Sequence, residues 1–299
     1  MAAIHHPGIL QDQPTRRNIR DILHLPFAMP CRTIVFSHAN SFPASTYRSL
    51  FKQWEGAGYE VVAIDKYGHD PRYPVTNGWP FLIEQLRDFI THQADAPVWL
   101  VGHSLGGYLS SLVASRYPDL ARGVVLLDSP IVSGWKAASL GLVKRVGAVD
   151  RVMPSGVSRQ RCHQWPDLDA VRQHFTAKPK FAAFSPSVLH DYVHEGTAPT
   201  EPQGPRRLSF DRDIETAIYR SMPHDMGKEL RRRPPKCPVA FIGGTRSEEV
   251  RTVGMSATQR LVGTQQTWLK GSHLFPLEHP QETAQAVLNW LNQFESRTS

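Results

Sequence analysis

Val98-Trp99-Leu100-Val101-Gly102-His103-Ser104-Leu105-Gly106-Gly107 leads from a short apolar run, through a glycine-flanked serine, into an apolar helical pattern from Leu105 to Arg116. A short continuous apolar run bounded by turn residues reads as a buried strand. Gly102-His103-Ser104-Leu105-Gly106 then matches G-x-S-x-G in the setting that gives the motif meaning: strand, tight turn, helix. The demand is steric. A serine on a sharp, strained strand-to-helix turn leaves no room for side chains two residues to either side. The turn holds the Ser104 hydroxyl above the sheet edge. It also puts the Leu105 backbone N–H at a helix N-terminus, where it can stabilise an oxyanion. The bland alternative is a glycine-rich turn with no chemistry, and the strand–turn–helix setting argues against it.

Outward from this stretch, strand and helix patterns alternate. Upstream, Thr33-Ile34-Val35-Phe36 and Glu60-Val61-Val62-Ala63-Ile64 read as strands, and Ser45 to Trp54 and Trp79 to His92 as helices. Downstream, Val124 to Leu127 is a fourth strand. Such alternation implies a parallel sheet with helical crossovers. It fades after Pro130. Residues 133 to 236 carry helical patterns, many prolines and mixed charge, with no convincing strand. The alternation resumes at Val239-Ala240-Phe241-Ile242, continues through Gln266-Thr267-Trp268-Leu269, and ends with a helix from Gln281 to Phe294. The expected organisation is an α/β core formed by residues 1–132 and 237–299, interrupted by a mostly helical insertion at 133–236.

With these elements in this order, the chain resembles the α/β-hydrolase family: a mostly parallel central sheet flanked by helices, with an inserted, mainly helical cap. The likeness covers nearly all of the core. It implies that Ser104 is the nucleophile. His38-Ala39-Asn40 follows the first strand where the family carries a His-Gly-type motif, with alanine in place of glycine. The resemblance assigns the second oxyanion donor to the Asn40 backbone N–H, and leaves His38 as a brace for that loop. Of the fourteen histidines, His273 follows the last strand and precedes the last helix, where the family places its general base. His279, beside Pro280, is the competitor.

The acid is the departure. The family places it after the strand at Val239 to Ile242, and Ser247 stands where an aspartate is expected. A serine carries no charge to stabilise an imidazolium. One repair is Asp128, at the end of the preceding strand, an alternative position used by some relatives; its offset from the nucleophile, 128 − 104 = 24, suits one helix plus one strand. The other is Glu248 or Glu249, next to the vacant position, where the plain reading is a solvated helix start. Asp128 is favoured because strand-end geometry supplies its reach.

Composition adds limits. An apolar fraction of 40% and a charged fraction of 20% are ordinary for a soluble globular protein. No apolar run reaches the ~18 residues of a membrane span, and Met1 to Arg20 has no secretory h-region. Cys31, Cys162 and Cys237 form no metal or redox pair, in keeping with a reducing cytoplasm. The net charge of +7 gathers partly in Arg206, Arg207, Arg231, Arg232, Arg233 and Lys236, without a nucleic-acid motif. The expectation is therefore a cytoplasmic enzyme with no cofactor, no metal and no nucleic-acid partner, acting on a small acyl substrate. The reaction expected is hydrolysis of a carboxylic ester or thioester through an acyl-enzyme. Carbon–carbon bond hydrolysis by the same triad, and a low-turnover binding protein on the same fold, remain as rivals. Trp135, Trp165, Phe175, Phe181, Phe184 and Tyr192 either line a pocket under the cap or form the cap's own core.

Overall fold

A computed structural model describes residues 32–134, 159–202 and 204–298. The first half alternates strictly: β1 (Thr33–Ser37), α1 (Arg48–Gly56), β2 (Glu60–Ala63), α2 (Pro80–Gln93), β3 (Val98–His103), α3 (Leu105–Arg116) and β4 (Ala121–Leu127). The alternation resumes after the insertion with β8 (Val239–Gly244) and β9 (Gln266–Leu269). In the six-stranded sheet the order is β2-β1-β3-β4-β8-β9, and every described pairing in it is parallel. The central strands are buried along their whole length apart from Arg122 in β4, whereas the outermost ones, β2 and β9, are mostly half-buried. A parallel sheet covered on both faces accounts for this gradient.

Side-chain alternation along the strands divides the interior into two cores. Ile34, Phe36, Trp99, Val101, Val125, Leu127, Ala240 and Ile242 face one cluster, with Leu50 and Trp54 from α1. Val35, Leu100, Val124, Leu126 and Phe241 face the other, with Leu82 and Leu86 from α2 and Leu109 and Leu112 from α3. Fully burying one such leucine or phenylalanine contributes roughly 1.5–3 kcal/mol, so a one-residue slip in register would be penalised on both faces at once.

Between β4 and the return of the sheet lie β5 (Gln164–Trp165), α4 (Leu168–Thr176), α5 (Pro179–Ala182), α6 (Pro186–Glu195), β6 (Thr197–Pro199), β7 (Arg206–Leu208), α7 (Arg212–Ser221) and α8 (Met226–Arg232). The helices match the sequence pattern. The antiparallel sheet β5-β7-β6 does not, because strands of two or three residues built around arginine and proline carry no apolar alternation. The aromatic residues of this segment mostly pack on one another. Phe175 lies 4.6 Å from Phe181 and 4.9 Å from Tyr192, and Phe181 lies 5.1 Å from Phe184, centroid to centroid. Trp165 joins through Phe175. The cluster meets Phe42, in the loop after β1, at 5.4 Å from Tyr192. These rings are interior packing; Trp135 lies outside the described residues. The chain closes with β8 (Val239–Gly244), α9 (Glu248–Val253), α10 (Ser256–Val262), β9 (Gln266–Leu269), α11 (Phe275–Glu278) and α12 (Pro280–Thr298). Among the described residues no helix is long and apolar enough to cross a membrane.

Candidate active site

The turn between β3 and α3 carries the strain its sequence implies. Ser104 has φ 52° and ψ −114°, a conformation that costs a non-glycine residue on the order of 1–3 kcal/mol and persists only where the surroundings over-determine it. Here they do. The Ser104 N–H donates to the Leu127 carbonyl at 3.0 Å, and the Ser104 carbonyl accepts from the Ser129 hydroxyl at 3.0 Å. The flanking glycines are explained by contact. A Cβ on Gly102 would sit 2.3 Å from the Gly106 carbonyl, and one on Gly106 would sit 2.0 Å from the Ser37 backbone oxygen. Both clashes are with backbone, which cannot step aside. Gly106→Ala is therefore expected to lower stability by at least the ~1–3 kcal/mol typical of overpacking, measured as a drop in the urea midpoint; a midpoint equal to wild type would show that the two loops are not in this contact.

The loop after β1 docks on the same turn, with Gly106 N–H donating to the His38 carbonyl at 3.1 Å. His38 itself is fully buried. Its Nδ1 contacts the Ala39 carbonyl at 2.8 Å, and its Nε2 accepts from the Tyr67 N–H at 3.0 Å. A carbonyl only accepts, so Nδ1 carries the proton and the ring is neutral. Burial, the largest cause, pushes its pKa down from 6.5 to about 4. The folded value lies below the unfolded one, so between about pH 6.5 and 4 the unfolded chain binds a proton that the folded one refuses, and stability falls as pH falls. At about 1.4 kcal/mol per pH unit, the gap corresponds to roughly 3 kcal/mol. Denaturant midpoints taken from pH 7 to 4 should fall in wild type and fall less steeply in His38→Asn; parallel curves would contradict this reading of His38.

His273 lies in the loop after β9, between Gly271 and α11. Its Nδ1 is 2.7 Å from Asp128 Oδ2. A carboxylate only accepts, so Nδ1 carries a proton toward Asp128 and Nε2 is the ring nitrogen left free of that bond. Asp128 stands at the end of β4 with φ 46°, completely buried. Its two oxygens also accept from the Gly244 N–H at 2.8 Å and the Ser247 hydroxyl at 2.5 Å. Ser247, where the family resemblance leads one to expect an aspartate, thus hydrogen-bonds the carboxylate at the end of β4. The same hydroxyl accepts from the Val250 N–H and caps α9. Of the two glutamates beside it, Glu249 Oε2 lies 3.7 Å from His273 Nδ1 and is half-exposed, while Glu248 turns to Arg251 and solvent. Asp128, Glu249 and His273 are the one group, among the described residues, of three metal-type ligands close together. Their closest contact is already a hydrogen bond between His273 and Asp128. His279 pairs with Glu282, at 3.4 Å.

One contributor carried no signal in the sequence. His103, the first variable position of the motif, is wholly buried, and its Nε2 donates to the His273 carbonyl at 2.9 Å. Its Nδ1 accepts from the Tyr47 hydroxyl at 2.8 Å, and that hydroxyl accepts from the Ala39 N–H at 3.4 Å. Burial and the neighbouring His273 hold the His103 pKa well below the usual range, in keeping with a neutral ring. One chain of hydrogen bonds therefore joins the loop after β1, the Ser104 turn and the His273 loop.

The sequence profile of the Alpha/beta hydrolase family matches residues 34–286. Among curated proteins, the chain is 24% identical over 264 residues to the mouse (Mus musculus) sn-1-specific diacylglycerol lipase ABHD11, covering 86% of this chain and 80% of that one. It is 29% identical over 137 residues to mouse monoglyceride lipase, covering 44% of this chain and 45% of the relative. The chain thus spans about half the length of that relative, and 62% of a monoglyceride lipase homolog from monkeypox virus. Among solved structures, E-2-(acetamidomethylene)succinate hydrolase superposes with a TM-score of 0.68 at 21% identity, over 87% of this chain and 91% of the other. The thioesterase domain from the curacin biosynthetic pathway gives 0.65 at 19% identity, over 87% and 92%. At such identities these two superpositions speak for the fold alone. The profile runs from the first strand of the sheet into its last helix, and on that ground the chain belongs to the alpha/beta hydrolase family.

Proposed function

We propose that the chain is a cofactor-independent serine hydrolase that cleaves carboxylic esters through an acyl-enzyme. The observation that carries this reading is the buried Asp128 carboxylate on His273 Nδ1, held by loops that hydrogen-bond the Ser104 turn. In this reading the Nε2 lone pair of His273 takes the proton from Ser104 as its oxygen attacks the acyl carbon. The carbonyl oxygen gains negative charge between the Leu105 and Asn40 N–H groups, and each such donor is worth about 3 kcal/mol. Among the described residues neither N–H donates to another acceptor. His273 then gives its proton to the departing alcohol. Water attacks the acyl-Ser104 ester by the same route, releasing the acid and restoring the hydroxyl. Asp128 orients the ring and stabilises its cation throughout.

The segment between β4 and β8 serves in this reading as the cap. The names of the relatives make mono- and diacylglycerol esters the first substrates to assay, with thioesters as the comparison. The test of the mechanism is a fluorophosphonate probe. Labelling is expected at Ser104 and is expected to vanish in Ser104→Ala. Folded wild-type protein that stays unlabelled would sink the serine-hydrolase reading and leave a binding protein on this fold.

A further inference from the structure

The oxyanion loop is held by a residue that belongs to the insertion. Glu215, on α7, is almost completely buried. Its carboxylate accepts from the Ser41 hydroxyl at 2.5 Å through Oε1 and from Arg161 Nη1 at 2.9 Å through Oε2. Its backbone carbonyl accepts from Asn40 Nδ2 at 3.1 Å. Two successive loop residues are thus fastened to one residue of the insertion. Arg161 is itself mostly buried and also reaches the Tyr192 hydroxyl at 3.3 Å.

A buried acid needs a reason. An ion pair taken out of water recovers its desolvation cost only with good geometry and full hydrogen bonding, so burial of Arg161 and Glu215 says little by itself about stability. Position says more. Ser41 has φ 78°, a left-handed conformation that a serine keeps only where neighbours enforce it. The residue it follows, Asn40, carries the second N–H of the proposed oxyanion site. From the other side the loop is tied to the elbow by the Gly106 N–H on the His38 carbonyl. That bond fixes the loop at residue 38, and the Glu215 contacts hold it at residues 40 and 41, with the Tyr219 side chain also hydrogen-bonded to Ser41.

We propose that Glu215 is a positioning residue of the insertion, whose carboxylate holds Ser41 and whose backbone carbonyl holds the Asn40 side chain, and which thereby aims the Asn40 N–H at the developing oxyanion. The proposal rests on the ester-hydrolase reading and adds a physical link from the insertion to the chemistry. The insertion, on this view, sets the rate of the reaction as well as covering it. A donor aimed at a transition-state charge contributes little to ground-state binding, so loosening the loop should lower kcat and leave KM nearly alone.

Ser41→Ala and Ser41→Gly test this without breaking the Arg161–Glu215 pair. Alanine keeps the unfavourable backbone conformation and glycine relieves it, so a loss common to both comes from the missing hydroxyl. With a p-nitrophenyl ester, kcat is expected to fall on the order of 10- to 100-fold in both, with KM within about threefold of wild type. Affinity for a trifluoromethyl ketone, which forms a tetrahedral oxyanion on the serine, should fall by the same factor. Glu215→Gln keeps an oxygen for Ser41 and should retain more kcat than Glu215→Leu. Wild-type kcat in both Ser41 variants, a rise in KM alone, or equal kcat in Glu215→Gln and Glu215→Leu would each overturn the role of Glu215. Those outcomes with a fluorophosphonate-labelled wild type leave the ester reading standing, whereas an unlabelled wild type removes both.

Discussion

Ser104→Ala is expected to lower ester hydrolysis on the order of 10⁶-fold while leaving the fold intact, because members of a catalytic triad act as a unit and removing the nucleophile costs about as much as removing all of it. The structural half of this expectation is specific. The bonds that hold the turn are made by the Ser104 backbone: its N–H to Leu127, its carbonyl from Ser129, Gly107 and Tyr108. None involves the hydroxyl that alanine lacks. The strained backbone stays strained in the alanine variant, so no large gain in stability follows. Glycine is different. Ser104→Gly relieves a backbone conformation worth on the order of 1–3 kcal/mol, against an unfolded-state entropy cost of about 0.4–1 kcal/mol. The glycine variant should therefore be equally inactive and melt above the alanine variant. Purified Ser104→Ala with near-normal turnover would mean that another residue is the nucleophile.

The elements that carry the site were legible because each is a local pattern. β1, β3, β4 and β8 are apolar runs buried on both faces, and the elbow is a steric motif whose glycines answer to backbone contacts at 2.0 and 2.3 Å. The place of His273, between the last strand of the sheet and the last helix, could be read from the order of elements, and its expected role only from the family resemblance. Where the reading ran short, the contacts join residues far apart in sequence. His103 is an unconstrained position of the motif, yet it bonds a carbonyl 170 residues away. Glu215, near an acidic helix start, carried no signal in the sequence, and its partners lie 174 and 54 residues distant. Ser247 looked like the loss of an acid, and its hydroxyl bonds the carboxylate at β4 instead. The strands β5, β6 and β7 are too short for alternation to register. Periodicity reports which face of an element is buried; it is silent about which polar side chains meet inside.

Asp128→Asn should lower kcat by about 10⁴ if Asp128 orients His273, the loss seen when this change is made in a well-studied triad. The environment makes the effect unusually clean. Asparagine accepts a left-handed backbone readily, so the φ of 46° at this position is no obstacle to folding. The difficulty lies in the donors. Gly244 N–H, the Ser247 hydroxyl and His273 Nδ1 all point at the two carboxylate oxygens. An amide offers one oxygen and one NH₂. If the NH₂ faces Gly244, two N–H groups oppose each other in the interior. If it faces His273, it accepts that ring only with Nδ1 deprotonated, which moves the proton to Nε2 and removes the base Ser104 needs. Glu249, the other carboxylate near His273, is half-exposed and 3.7 Å away. Screened by solvent, it is worth at most about 1 kcal/mol, so Glu249→Gln should lower kcat less than about tenfold. Glu248→Gln should do nothing, since Glu248 faces Arg251. Measuring kcat for the three variants separates the possibilities. A collapse in Glu249→Gln with a nearly normal Asp128→Asn would move the acid to the first turn of α9. Residual activity in Asp128→Asn that disappears when Glu249→Gln is added would show Glu249 standing in for Asp128 once the nearer carboxylate is gone.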